Sequence, residues 1–260
     1  MDTTYSDGQA AVSEPRWRGL SGSTIKMIGI IAMLIDHIGL ALVRRLMLAG
    51  YTGYTYQLNG IYNVMRAIGR LGFPIFCFLL VEGFEKTRNK TKYAMRLGLF
   101  ALISEIPFDL AFSAKVLEFD NQNVYFTLFL GLLALCVFNL INKQKFPRVL
   151  AALLDLAALA VFMLAADFLR TDYASIGVLT ITVMYVLWFF KSGAFAGGCA
   201  VLSLLAYNEL PAFFALLPVA VYNGKRGWKL KYFFYAFYPV HLLLLWFIAY
   251  LFGMGSIQVV

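Results

Sequence analysis

Charged and imidazole side chains occur inside segments that are otherwise apolar. The set consists of Asp36, His37, Arg66, Arg70, Glu82, Glu105, Asp109 and His241. A charge near the centre of a bilayer costs at least about 2.5–3.5 kcal/mol on insertion scales, so such residues usually face a protein interior and mark a site or a path. Both histidines of the chain belong to this set. We therefore take these residues as the candidate site.

His37 has the chemistry of a general base. A neutral imidazole in a dry site can accept a proton from a nucleophile near neutral pH. Adjacent residues on a helix point about 100° apart, so Asp36 and His37 are expected to have different partners. The alternative for His37 is a core histidine bonded to a neighbouring helix. For His241 the alternative is likewise a packing or hydrogen-bonding role.

Two pairs of charged residues share a spacing of four. Arg66 and Arg70 therefore lie on one helix face, and Glu105 and Asp109 lie on one face of the next long helix. We predict a ladder of ion pairs between two antiparallel helices, which would fix their packing. A compatible functional interpretation has Arg70 facing an anionic or carbonyl-bearing ligand.

Composition places these residues in a helical membrane protein. Of the 260 residues, 61% are hydrophobic and 14% are charged, and the mean hydropathy is +0.75. Apolar stretches of about 20 residues suit transmembrane helices and lack the alternation of barrel strands. The sequence predicts an all-α, polytopic transmembrane helical bundle of about nine spans within residues 23–254. The expected spans are about 24–48, 61–84, 93–112, 124–141, 149–169, 174–190, 193–207, 211–222 and 231–252. Residues 1–22 are predicted to be a disordered cytosolic tail, and residues 255–260 a short C-terminal tail.

The net charge of +8 lies largely in short loops between spans. The cations of 86–96, 143–148 and 225–231 all fall on one side if nine spans are correct, which predicts a cytosolic N-terminus in a bacterial cytoplasmic membrane. We therefore expect a lipid bilayer and no nucleic acid as the partner of this charge. The three cysteines have no metal-ligand spacing, and no metal is predicted.

The basic run after the second span suits phosphate groups. Its candidates for binding a nucleotide-bearing cofactor are Arg88, Asn89, Lys90, Lys92 and Arg96. The alternative is a role in topology or in contact with anionic lipids.

Tyr54 and Tyr62 belong to a tyrosine-rich stretch on the opposite side. They are candidates for stacking on a sugar or peptide acceptor. An interfacial aromatic belt is the alternative.

Several stretches together resemble one known family. They are IAMLIDHIG, IGRLGFPIFCFLLVEGFEKTRNKTKYAMRLGLFALISEIPFDLAF, NVYFTL and LLPVAVYNGKRGWKLKYFFYAFYPVHLLLL. They closely resemble the TraX family, whose plasmid members are linked to N-terminal acetylation of conjugative pilin, and the resemblance runs from about residue 24 to 248. The family is similar to integral membrane acyltransferases that take an acyl group from cytosolic acyl-CoA and pass it to an acceptor on the other side. The resemblance does not imply that pilin is the acceptor of this chain.

The residues of this chain that match the family's motifs are Asp36, His37, Arg66, Arg70, Glu82, Arg88, Asn89, Arg96, Glu105, Pro107, Asp109, Asn123 and His241. We assign their roles from chemistry. His37 would take the proton of the attacking group, with Asp36, Glu105 and His241 also in the catalytic set.

Arg70, with Arg66, would stabilise the oxyanion. Asp109 and Asn123 join Tyr54 and Tyr62 as candidates for holding the acceptor.

The expected function is therefore an acyltransferase that uses acetyl-CoA or another acyl-CoA as co-substrate. The acceptor amine or hydroxyl would belong to a pilin-like peptide, a glycan or a small molecule at the outer side. Two alternatives stay open. One is a transporter or flippase that uses buried Arg, Glu and His, and the other is a non-catalytic pilus or secretion assembly factor.

Overall fold

The structure is a computed structural model that describes residues 19–50, 55–229 and 231–259, with only the backbone described for Thr55, Lys231 and Tyr232. Most of the predicted N-terminal tail and Tyr54 lie outside the described residues.

The described chain is helical and contains no β-strand. The helices are α1 (Gly22–Leu48), α2 (Thr55–Gly69), α3 (Gly72–Lys86), α4 (Lys90–Phe112), α5 (Val124–Lys143), α6 (Arg148–Phe168), α7 (Ala174–Val186), α8 (Lys191–Leu205), α9 (Leu216–Ala220) and α10 (Lys231–Leu251). A 3-10 helix, Tyr207–Ala215, precedes α9.

In the described residues, five helical stretches are long and apolar enough to cross a membrane, so this is a multi-pass membrane protein. They are Gly22–Leu48, Tyr56–Lys86, Val124–Lys143, Arg148–Phe168 and Phe233–Leu251. The other predicted spans have different forms. α4 has 23 residues but is more polar, and α7 and α8 have 13 and 15 residues. The predicted span at about 211–222 is the 3-10 helix followed by α9, which has five residues.

α1 packs antiparallel to α2 and α3, which together form one rod broken at Arg70 and Leu71. Glycine permits this close approach, since a Cβ at Gly69 would overlap the side chain of Asp36. The break therefore lies at the level of the Asp36 side chain, about 20 Å along α1 from its start.

One end of the bundle collects the start of α1, the end of α3 and the loop after α9. The backbone N–H of Gly22 donates to the Lys225 carbonyl at 2.8 Å, and the Lys86 ammonium donates to the Gly224 carbonyl at 2.7 Å. We name this end the Lys86 face. Residues 19–22, assigned to the tail from sequence, are therefore bonded into the bundle.

The opposite end, which we name the Val259 face, holds the end of α4 and the C-terminal segment. The Val259 N–H donates to the Phe112 carbonyl at 2.8 Å, and Arg45 Nε donates to the Ile257 carbonyl at 2.9 Å. Arg45 is fully buried, and it also donates to the Ala41 carbonyl inside a π-helical turn of α1. Ile257 and Val259, in the segment predicted as a C-terminal tail, are thus bonded back to the bundle.

Candidate functional site

The two histidines, 204 residues apart, form a hydrogen bond. His37 Nδ1 lies 2.7 Å from His241 Nε2, and the planes of the two rings are within 2° of parallel. His241 Nδ1 lies 2.8 Å from the carbonyl oxygen of Phe237. Packing of α1 near α10 therefore creates a histidine dyad that sequence spacing does not reveal.

The Phe237 carbonyl fixes the protons of this dyad. A carbonyl oxygen only accepts, so His241 Nδ1 must carry a proton and donate it. In neutral His241 the Nε2 atom is then an acceptor, and His37 Nδ1 must donate to it. Neutral His37 therefore keeps its lone pair on Nε2, the atom that can receive a further proton.

Aromatic side chains surround the dyad. Phe112 contacts the His37 ring edge-on, with centroids 5.3 Å apart, and Tyr238 lies 5.9 Å from His37 and 5.7 Å from His241. His241 and Tyr238 are both almost fully buried. This shell keeps the dyad in an apolar environment.

Asp36 and His37 have different partners, as their 100° separation predicts. Asp36 Oδ2 accepts a hydrogen bond from Arg66 Nη1 at 2.5 Å, in a partly buried ion pair. Arg66 is thus held against Asp36, the residue that precedes His37.

Arg70 forms a second ion pair, with Glu209 of the 3-10 helix, at 2.5 Å. Glu209 is 3% exposed, and its second carboxylate oxygen is buried without a hydrogen-bond partner in the described part of the chain. Sequence reasoning missed Glu209 because the surrounding YNEL reads as a loop. An acid between two apolar stretches was the available signal.

The predicted ladder between the two arginines and the acids of α4 is wrong. Glu105 instead accepts hydrogen bonds from the backbone and side chain of Asn123, and Asp109 accepts one from the Glu118 N–H at 2.8 Å. The reason is that α4 packs on α10 and α5 and does not lie along α2. These acids, with Asn123, hold the connection between α4 and α5.

The residues of the predicted phosphate-binding run have different surroundings in the structure. Asn89 caps α4 by accepting from the Lys92 N–H at 2.8 Å, and Lys90 donates to Asn139 Oδ1 at 2.9 Å. Arg88 and Lys92 are exposed. Tyr62, a predicted acceptor contact, receives a hydrogen bond from Arg44 at 3.3 Å.

A cavity of about 530 Å³ begins at the Lys86 face and extends between α1, α3, α4, α5 and α10. Its charged lining residues are Lys26, Glu82, Lys86, Arg96 and Arg226, and its deeper lining includes Ile30, Met33, Leu80, Tyr125, Leu128 and Tyr238. The volume is within the range of small-molecule sites. Of the predicted phosphate ligands, Arg96 alone lines this cavity.

The histidines continue the faces that line the cavity. Along α1, Lys26, Ile30 and Met33 line it, and His37 is the next residue on that helix face. Along α10, Tyr238 lines the cavity and contacts both imidazole rings. The dyad therefore lies beyond the deep end of the cavity, with Tyr238 shared between the two.

Sequence reasoning also missed Lys26, Arg226 and Tyr238. Lys26 is a lone cation in the first turns of an apolar helix, and its spacing to His37 along one face was the available signal. Arg226 lies at the cavity because the loop after α9 is bonded to the start of α1, and Tyr238 lies there because α10 packs on α4.

Comparison with known proteins shows the family of this chain. The sequence model of the TraX protein family matches residues 21–249. A curated relative from Dichelobacter nodosus, named "Probable fimbrial assembly protein FimC, serogroup H1", is 32% identical over 247 residues, covering 86% of this chain and 94% of that protein. An uncharacterized protein of Rickettsia prowazekii (strain Madrid E) is 30% identical over 107 residues, covering 41% of this chain and 33% of that protein. No solved structure matches. The match spans every residue of the dyad and cavity described above, and the chain belongs to the TraX family.

Proposed function

We propose that this protein is an integral membrane acyltransferase. It moves an acetyl or other acyl group from acyl-CoA to an amine or hydroxyl of an acceptor. The observation that carries the proposal is the histidine dyad beyond the deep end of a cavity with a cationic mouth. A base held in one tautomer next to a small-molecule cavity suits acyl transfer by general-base catalysis.

His37 is the proton acceptor of the reaction. The acceptor's nitrogen or oxygen attacks the thioester carbon, and its proton passes to His37 Nε2. The carbonyl electrons move onto oxygen, and the tetrahedral intermediate then collapses with cleavage of the carbon–sulfur bond. The CoA thiolate leaves and takes the proton from His37, which returns the dyad to its starting state. His241 orients His37 through the 2.7 Å hydrogen bond.

Arg66 is the cation that supports the developing oxyanion. Its partner Asp36 is the neighbour of His37 in α1, whereas Arg70 is paired with the buried Glu209. Asp36 keeps the Arg66 guanidinium in place. A fixed donor aimed at an oxyanion contributes a factor of about 10²–10³ to turnover.

The two faces of the bundle give the reaction a direction. The Lys86 face carries the cation-rich loops, which the positive-inside rule assigns to the cytosol. Acyl-CoA then enters from the cytosol, and the acceptor approaches from the Val259 face. The relative named as a fimbrial assembly protein favours a fimbrial or pilin-like polypeptide as the acceptor.

We expect the purified protein in lipid nanodiscs to release CoA from acetyl-CoA when a peptide with a free amino terminus is present. The free thiol is measured with a chromogenic disulfide, and the acetylated peptide by mass spectrometry. Thiol release and peptide acetylation should appear in equal amounts. Nanodiscs with an unrelated membrane protein are the control. Absence of both products with peptide and hydroxyl acceptors alike would contradict the proposal.

A non-catalytic assembly factor is the second candidate, favoured by the printed name of the Dichelobacter relative. Such a protein would bind its partner without breaking a thioester. It would therefore support assembly fully when His37 is replaced, which separates it from the enzyme.

A further inference from the structure

The cavity at the Lys86 face is more strongly cationic than its own acid can balance. Glu82 is the one acid among the described residues that line it. Glu82 already accepts a hydrogen bond from the Tyr222 hydroxyl at 2.5 Å and pairs with Lys86 at 2.8 Å, with Lys191 at 3.8 Å. The carboxylate is therefore occupied by groups at the rim.

Three further cations line the same cavity. They are Lys26, Arg96 and Arg226, and none of them forms an ion pair with a described carboxylate. The Nε atom of Arg96 is buried and has no hydrogen-bond partner among the described residues. Lys26 and Arg96 are half-buried, and Arg226 is exposed. Cavity cations that lack a carboxylate partner favour an anionic ligand, because charge-assisted hydrogen bonds are stronger than neutral ones.

An anion bound at Lys26 would lie far along α1 from the reacting group at His37. Lys26 and His37 are eleven residues apart on one helix, which corresponds to about 16 Å. Between them the wall is apolar, with Ile30 and Met33 on α1 and Leu128 on α5. A ligand that reaches both ends must carry its anionic group at the end of a long arm.

We propose that Lys26, Arg96 and Arg226 bind the phosphate groups of a thioester donor whose acyl group is attached through a phosphopantetheine-type arm. This inference rests on the proposed function and adds the residues that bind the donor's phosphate groups. An acyl phosphate does not fit, because its phosphate adjoins the acyl group. Arg88 and Lys92 do not line the cavity and have no part in donor binding.

The first test uses the unmodified protein in phosphatidylcholine nanodiscs and a series of non-acylated ligands. Binding of CoA, 4′-phosphopantetheine and pantetheine is measured by calorimetry. Loss of the phosphates should weaken binding, so that pantetheine binds at least about tenfold less tightly than CoA. Equal affinity for CoA and pantetheine would overturn the proposal. So would displacement of CoA by phosphatidylglycerol added to the nanodiscs, because the cations would then hold a lipid headgroup.

The second test compares matched neutral variants. Lys26→Gln, Arg96→Gln and Arg226→Gln should each weaken CoA binding by about tenfold and leave pantetheine binding unchanged. Arg88→Gln and Lys92→Gln from the neighbouring basic run are the controls and should bind CoA as the unmodified protein does. Equal losses in controls and cavity variants, or none in the cavity variants, would overturn the assignment.

Binding of non-acylated CoA does not depend on acyl transfer, so the two proposals fail separately. If CoA binding needs the three cations but no acyl transfer occurs, the phosphate-binding site is supported and the proposed enzyme activity is contradicted. If acyl transfer occurs but CoA binding does not depend on the three cations, the proposed enzyme activity is supported and the phosphate-binding site is contradicted.

Discussion

Replacing His37 with alanine lowers acyl-transfer turnover by at least about 100-fold, the low end for a positioned general base. The variant loses the Nε2 lone pair that receives the acceptor's proton. It also leaves no charge unpaired, because neutral His37 only donates to His241. The measurement is turnover at saturating acetyl-CoA, together with CoA affinity, which should stay within about twofold because the cavity cations are intact.

His241 provides the matched comparison. His241→Ala keeps the Nε2 atom of His37 but removes the acceptor that orients the ring, so its loss of turnover should be smaller than that of His37→Ala. His241→Gln supplies an amide oxygen that can accept from His37 Nδ1 and should recover part of the activity. The assignment of the base is contradicted if His37→Ala keeps full turnover. It is also contradicted if His241→Ala is the more damaging change.

Replacing Arg70 with alanine destabilises the protein by about 3–5 kcal/mol, since it leaves the carboxylate of Glu209 buried without its partner. For a chain of this size the midpoint of thermal unfolding in detergent should fall by about 10 °C. The measurement is the unfolding midpoint, followed by intrinsic fluorescence.

The control for Arg70 replaces both partners. Arg70→Met together with Glu209→Leu removes both charges and keeps apolar volume, so it should be far more stable than Arg70→Ala alone. An unchanged midpoint in Arg70→Ala would show that the ion pair does not hold the 3-10 helix to α2. A double variant as unstable as the single one would contradict the charge-stranding explanation.

The helices could be predicted from sequence because apolar length and cation placement are local signals. The start of α5 after Asn123 and the end of α3 near Lys86 were within a few residues of expectation. The prediction was less accurate where an apolar segment also contains a residue that interrupts a helix. The predicted span at about 211–222 became the 3-10 helix and α9, where Pro211 removes a backbone donor.

The partners of the charged residues could not be predicted, because they depend on which helices are neighbours. Arg66 and Arg70 were assigned to the acids of α4, the next long helix in the chain. The structure instead gives them Asp36, from the preceding helix, and Glu209, which is 139 residues further on than Arg70. Spacing along one helix specifies a face, whereas the contact across helices is set by packing.

The lining of the cavity could not be predicted for the same reason, since it too depends on which elements are neighbours. Arg96 was a candidate from the basic run, but Lys26 and Arg226 join it only through the bonds between the start of α1 and the loop after α9. The histidines were singled out as rare ionisable groups in apolar helices, and that chemical argument does not depend on topology. Their mutual hydrogen bond was not predicted.

The most direct test of the central claim is transfer across a sealed membrane. Proteoliposomes are prepared with an amino-terminal peptide trapped inside, and labelled acetyl-CoA is added only outside. Protein molecules with the Lys86 face outward should place the label on the trapped peptide, and liposomes with His37→Ala should place at least about 100-fold less. Label on the trapped peptide that is equal in the two preparations, or no label on it while the protein does acetylate peptide added outside, would contradict the account.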